Sequence, residues 1–189
     1  RVLFRSVSAS WFSPPLDRND TAQNRFEDSK LELALAVINR RLSKIARGED
    51  APFLSAGIGS SETRYASREL TLSVSSRPGK WKVAMSAAEQ ELRRALEYGF
   101  AQSEIDRELK EWMSAYEDAA ATAATRQSGQ LASGIINAFS ARVVFTHPDS
   151  VLARFKAVVG QLTAEVAHAS LRDAARGSGP LLFLSTGEA

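Results

Sequence analysis

The sequence predicts an α+β fold: a two-layer α/β sandwich with a mostly antiparallel sheet covered by helices, in the order strand, helix, two strands, helices, strand. Three observations predict it. Residues 67–76 alternate Leu70, Leu72 and Val74 with Thr71, Ser73 and Ser75, the period of a strand with one face on a core. Leu31, Leu35, Ile38, Leu42 and Ile45 recur at spacings of four and three, the period of a helix with one buried stripe. The remaining helical patterns gather in the second half of the chain. They do not alternate with strands, as a doubly wound sheet would require.

Each element has its own signal. "VSASWF" (7–12) alternates small polar and apolar residues and runs into Ser13-Pro14-Pro15, which suits a strand entering a loop. The stripe from Leu31 to Ile45 then predicts the first helix, which Gly48 stops. Residues 53–60 and 67–76 read as two strands. In "SSRPGKW", Pro78 is placed to open a helix striped by Trp81, Met85, Ala88, Leu92 and Leu96, with Gly99 as its C-cap. Ser103 with Asp106 forms a short-armed capping box for a further helix on Ile105, Leu109, Trp112, Tyr116 and Ala119. That helix is expected to continue through "EDAAATAATRQ". Two shorter helices follow, one after Pro148 and one capped by Thr163. Gly177-Ser178-Gly179-Pro180 releases the chain into "LLFLST" (181–186), an apolar run predicted as a last buried strand.

Composition excludes several function classes. With 189 residues, 44% hydrophobic and 24% charged, the chain matches one globular domain, long enough to bury roughly 70% of its unfolded surface. Its 24 basic and 22 acidic residues leave a net charge of only +2, so charge alone predicts no nucleic-acid footprint. Zero cysteines exclude disulfides, thiol nucleophiles and thiolate metal sites, and leave the compartment open. No stretch approaches the ~20 uninterrupted apolar residues that cross a membrane as a helix. The opening "RVLFRS" (1–6) reads as the translation of a commonly used sequencing adapter. It is expected to be an assembly scar ahead of a single domain over 7–189, itself part of a longer chain.

Groups that could do chemistry are sparse. His147, in "FTHPDS", sits in a turn where Asp149 or Ser150 reads as a helix cap, not as a catalytic partner. His168 lies three residues after Glu165, which is half of a bundle-type metal site, but no second pair completes it. Glu49-Asp50 and Glu117-Asp118 are adjacent pairs whose side chains diverge, so neither is an acid/base dyad. Gly57-Ile58-Gly59 lacks the third glycine and the following helix of a dinucleotide fingerprint and reads as a closely approached strand. Arg40, Lys44 and Arg47 share a helix face beside Arg41. Cations there are favoured by the helix macrodipole, and the alternative is an anion-binding helical module.

Three stretches carry a family resemblance: "LALAVINRRLSKIARGEDAPFLSAG" (33–57), "LSVSSRPGKWKVAMSAAEQELRRALEYGFAQSEID" (72–106) and "LTAEVAHASLRDA" (162–174). Together with the closing strand they resemble the second domain of the M16 zinc peptidases, the pitrilysin or insulinase family, over nearly all of 7–189. The run from Pro78 to Phe100 is the most specific portion. The resemblance implies the metallohydrolase-like fold of that family and a bacterial parent whose single chain holds two halves, each of two similar domains.

Its further implications are largely negative. The family's H-x-x-E-H helix, where two His and a distal Glu hold zinc and the intervening Glu activates water, is missing here. Zinc is therefore expected in an upstream catalytic domain and no cofactor in this chain. The similar last domain of the other half brings an Arg and a Tyr to the substrate carbonyl from the segment equivalent to 40–57. Here Phe53 stands at the Tyr position without a hydroxyl, and Arg47 is an approximate match for the Arg. The resemblance thus implies an inactive domain, with no catalytic and no metal-binding residue, that forms scaffold and wall of a peptide-holding chamber. Arg47, Phe53 and Leu54 are its candidate substrate contacts. Expected partners are the upstream H-x-x-E-H domain, a second half or paired subunit, and a peptide substrate, with no nucleic acid and no membrane span. The parent is expected to be a periplasmic zinc metalloendopeptidase, or else an inactive homologue serving as partner or structural subunit.

Overall fold

A computed structural model of the chain describes residues 5–63 and 66–185. Its strands are β1 (Arg5–Ser13), β2 (Ser55–Thr63), β3 (Ser67–Ser76) and β4 (Ser178–Ser185). Its helices are α1 (Ala22–Ala46), α2 (Trp81–Tyr98), α3 (Gln102–Ala121), α4 (Ser128–Ala141), α5 (Pro148–Val158) and α6 (Ala164–Ala174). The element order is the expected one, and all strand pairs are antiparallel in the order β2-β3-β1-β4.

Register follows the alternating pattern. Leu72 of β3 lies opposite Ile58 of β2 and Ala9 of β1, while Val74 lies opposite Ala56 and Val7, so one sheet face is apolar through three strands. Against that face α1 sets Leu33, Ile38 and Leu42, and α2 sets Ala84, Ala88 and Leu92, all buried. Ile105 of α3 and Leu171 of α6 close the layer. Each fully buried Leu or Ile contributes about 2 kcal/mol of transfer free energy. The opposite face of these strands is Ser, Gly and Thr at most positions, with Ser8, Ser10, Gly57, Gly59, Thr71 and Ser73 among them.

Local chemistry corrects several boundaries. β2 starts at Ser55, two residues later than expected, because 47–54 first turn back from α1: Gly48 N–H donates to Ile45 O at 3.1 Å and Ala51 N–H to Gly48 O at 3.3 Å. Pro78 does not open α2. It sits with Gly79 (φ +75°) in a turn closed by Lys80 N–H to Arg77 O at 3.1 Å, a type II arrangement whose third residue needs positive φ. α3 begins one residue ahead of the expected Ser103–Asp106 box, so the reach-back is made by Glu104, whose Oε2 accepts from Ala101 N–H at 3.0 Å. The alanine-rich run ends α3 at Ala121 and continues as a 3₁₀ turn over Ala123–Thr125. α4 has no counterpart in the sequence reading, since Gly129 and Gly134 interrupt its apolar rhythm. Thr163 caps α6 as expected, accepting from Val166 N–H at 3.4 Å.

The largest departure is β4. A buried strand is expected from its apolar run, yet all eight residues are exposed. The helices cover β2, β3 and β1, and β4 lies beyond them, paired to β1 alone among the strands. It enters this position through a tight approach: a Cβ on Gly177 would meet Phe12 O at 2.6 Å. Ser6 pairs with Ser75 and Ser185, main-chain pairing that asks nothing of the side chain. The expectation for 1–4, and the end of the closing strand at Thr186, lie outside the described residues.

Candidate functional site

The junction from α1 to β2 is built on ion pairs that the sequence does not display. Arg40 reaches across to α3, pairing with Glu108 and Glu111. Arg41 forks onto Glu104, Nε to Oε1 at 2.7 Å and Nη2 to Oε2 at 2.6 Å. It also donates to Glu91 Oε1 of α2 at 3.3 Å and to Gly99 O at 3.3 Å. Arg94 supplies the second partner of Glu91 at 2.8 Å, and the Phe100 ring lies 5.4 Å from the Arg41 guanidinium carbon. Glu91 and Glu108, each 5% exposed, are thus buried carboxylates with cationic partners, the condition under which burial of such groups is tolerated. The Arg41 hydrogen bonds, helped by the Ala101 N–H, hold Glu104 below the usual carboxylate range.

These pairs change the meaning of the basic stripe. Two of its cations are matched by four carboxylates from α2 and α3, so the stripe works as a three-helix clamp and offers little free field to a polyanion. Beside the clamp lies an open groove of about 880 Å³ lined by Arg41, Lys44, Glu91, Arg94, Tyr98 and Phe100. Its lining mixes both charges with aromatic faces. It contains no nucleophile paired to a base.

The three expected substrate contacts do not come together. Arg47 is exposed at the end of α1, with its Nε donating to Ser43 O at 3.1 Å. Leu54 is exposed, and its N–H extends the sheet ladder to Ser75 O at 2.9 Å. Phe53 is 3% exposed and packs in the core, so its ring offers no surface to a ligand. The reason is the turn before β2, which points Phe53 inward and Leu54 outward. None of the three lines the groove.

Both histidines are engaged structurally. His147, and not Asp149 or Ser150, caps α5, its Nδ1 accepting from Asp149 N–H at 3.3 Å. The His168 ring bonds through Nε2 to Leu96 O at 2.9 Å, stands edge-on to Phe100, and lies 3.1 Å from where a Cβ on Gly99 would be. Gly99, at φ +71°, therefore gives α2 its end and the His168 ring its seat. Among the described residues there is no group of three His, Asp or Glu side chains that could hold a metal ion.

The two sheet edges differ in a way no periodicity reveals. Along β2, the Asn39 amide of α1 bonds both main-chain groups of Ile58. Along β4, no strand among the described residues pairs with the outer edge.

No family model and no curated protein matches the sequence. Solved structures match the fold. The first half of the periplasmic protease PqqL from Escherichia coli superposes with a TM-score of 0.84 at 17% identity, over 97% of this chain and 39% of that one. A Yersinia pestis protein assigned to the insulinase family of proteases gives 0.79 at 16%, over 98% and 40%. A peptidase M16 inactive domain from Pseudomonas fluorescens gives 0.62 at 12%, over 90% and 37%. The chain has the fold of an M16 peptidase domain, and it spans less than half the length of each of these structures. No helix among the described residues is long and apolar enough to cross a membrane.

Proposed function

We propose that the chain is a non-catalytic domain of an M16-type zinc metallopeptidase that cleaves peptides. In this reading it supports a catalytic domain of the same polypeptide and forms part of the wall of a peptide-holding chamber. One observation carries it. An M16 peptidase fold is present, yet its only two histidines stand outside any H-x-x-E-H pattern and are held by main-chain groups, one capping α5 and one on the Leu96 carbonyl. Solved domains of this fold that are themselves described as inactive support the reading.

Zinc belongs, in this reading, to an upstream H-x-x-E-H domain, and the other half of the polypeptide or a paired subunit completes the chamber. Arg47 and Leu54 face outward and are the contacts left to a substrate from the expected three, with Phe53 as the core residue beneath Leu54. The likeness to a protease named as periplasmic supports that compartment for the parent. The test is to express the whole reading frame from the source DNA and measure zinc content and cleavage of a quenched fluorescent peptide. Zinc and cleavage in the parent, with neither in this chain, are expected. Stoichiometric zinc on residues 1–189 alone would contradict the reading. A parent whose upstream domain carries replacements at the H-x-x-E-H positions would make it a binding or structural partner.

A further inference from the structure

We propose that the open edge of β4 seats an extended strand from the neighbouring domain of the same polypeptide, with that domain covering both faces of β4. The inference rests on the reading above that the chain is one domain of a larger polypeptide.

The two edges of the sheet are the starting point. Unpaired strand edges invite association, and soluble proteins blunt them with charges or cover. On β2 the cover is present, because Asn39 occupies the main-chain groups of Ile58 that an incoming strand would use. On β4 the protection is confined to its start, where Pro180 and a register irregularity between Ser10 and Phe12 interrupt the pairing; from Leu181 to Ser185 there is no charged residue, every residue is exposed, and no further strand among the described residues pairs with it.

The side chains of β4 say what kind of occupant fits. Leu182 and Leu184 lie opposite Ala9 and Val7, on the helix-covered face, and Leu181 and Phe183 lie opposite Ser10 and Ser8, on the other face. A strand apolar on both faces is the pattern of an interior strand, covered above and below. Leu182 at 68% and Phe183 at 69% exposure have no such cover. A single extended peptide would satisfy the edge and leave both faces in water, whereas a folded neighbour supplies the strand and the cover together.

Area separates a tethered neighbour from a second copy. The four apolar side chains expose on the order of 500 Å², against the about 800 Å² per partner that separate molecules bury in a stable interface. A tether removes that requirement, because the second domain is held at high effective concentration. The PqqL half, of which this chain spans only 39%, holds enough further chain for such a neighbour.

The test uses the full polypeptide with benzoylphenylalanine in place of Phe183, irradiated without substrate, and the cross-linked peptides identified by mass spectrometry. A cross-link inside one polypeptide, to a segment outside residues 1–189, is expected. A product of doubled mass, a cross-link only to added peptide substrate, or no protein cross-link at all would each overturn the proposal. Amide exchange at those N–H groups of 178–185 that do not bond β1 gives a second readout: slowing on the order of a hundredfold relative to open main chain is expected, and free exchange there would overturn it. Peptide cleavage by the unmodified polypeptide is read separately. Cross-linking without cleavage sinks the functional reading alone, and cleavage without the cross-link sinks this inference alone.

Discussion

Asn39 and Ile58 exchange the two hydrogen bonds that a neighbouring strand would otherwise make. Asn39 Nδ2 donates to Ile58 O at 2.9 Å, and Ile58 N–H donates to Asn39 Oδ1 at 2.8 Å. A side-chain amide on a helix thus ends a sheet. Asn39→Ala is expected to lower unfolding free energy by about 1–2 kcal/mol and to speed amide exchange at Ile58. Denaturant melts and exchange measured by NMR check this, and unchanged exchange at Ile58 would show that the amide closes nothing.

Arg41 joins α1 to Glu91 of α2 and Glu104 of α3. Arg41→Ala leaves Glu91, among the least exposed carboxylates, with Arg94 as its remaining cation, and is expected to cost about 3 kcal/mol. Arg41→Lys keeps the charge and loses the fork, so it should fall between wild type and the alanine variant. Equal stability for all three in urea titrations would remove the clamp from the account of the fold.

Phe53→Ala and Leu54→Ala separate a core role from a surface role at neighbouring positions. The first should cost about 3–4 kcal/mol and the second within about 0.5 kcal/mol, because Phe53 is buried and Leu54 is not. If both variants unfold at the same denaturant concentration, the inward placement of Phe53 is wrong.

Asp20 makes the fold acid-sensitive. Arg25 hydrogen bonds, assisted by the Val144 N–H, hold its carboxyl at about 2, below the ordinary 3.8. A carboxylate depressed in the folded state contributes stability that is complete above the unfolded value and disappears as pH falls through the folded one. Stability should therefore drop between about pH 4 and pH 2, by about 1 kcal/mol once solvent screening of the partly exposed Arg25 is included. In Asp20→Asn this contribution to the acid slope should vanish. A variant with the wild-type slope would assign the acid sensitivity to other carboxylates.

Gly99 combines a φ of +71° with a Cβ position 3.1 Å from the His168 ring. Gly99→Ala should cost about 1–3 kcal/mol from backbone strain alone. Pairing it with His168→Ala, which empties the ring's place but leaves the φ demand, should recover only the steric part. Full recovery in the double variant would mean that φ imposes nothing here.

The parts of the fold that were legible in the sequence are those whose signal is local and whose burial lies inside the chain. β3 shows its alternation because Leu70, Leu72 and Val74 meet a core supplied by α1 and α2. The α1 stripe is legible for the same reason, and Gly99 announces a helix end through its own conformational freedom. β4 misleads because an apolar run predicts burial, and no layer among the described residues covers it. α4 escapes notice because only Ala138 on it is buried, so no stripe forms. Of the candidate site, the Arg40-to-Arg47 run is visible, but its carboxylate partners on α2 and α3 lie far along the chain and carry no spacing that would reveal them. Asn39 is silent in sequence for a different reason: its role depends on facing a strand edge that only the folded molecule defines.

β1 lies between β3 and β4, with Val7 opposite both Val74 and Leu184. β1 therefore waits on β4 to become interior, and the six helices of the described residues lie between them in sequence. On a ribosome, β1, β2 and β3 can assemble with α1 while one side of β1 stays open until residues 178–185 have emerged. Contacts between such distant residues make folding slow, and the open side is a place for premature pairing. The pairing of β4 with β1 is therefore expected to be a late step of folding, and Leu181 to Leu184 keep an apolar surface in water before and after it.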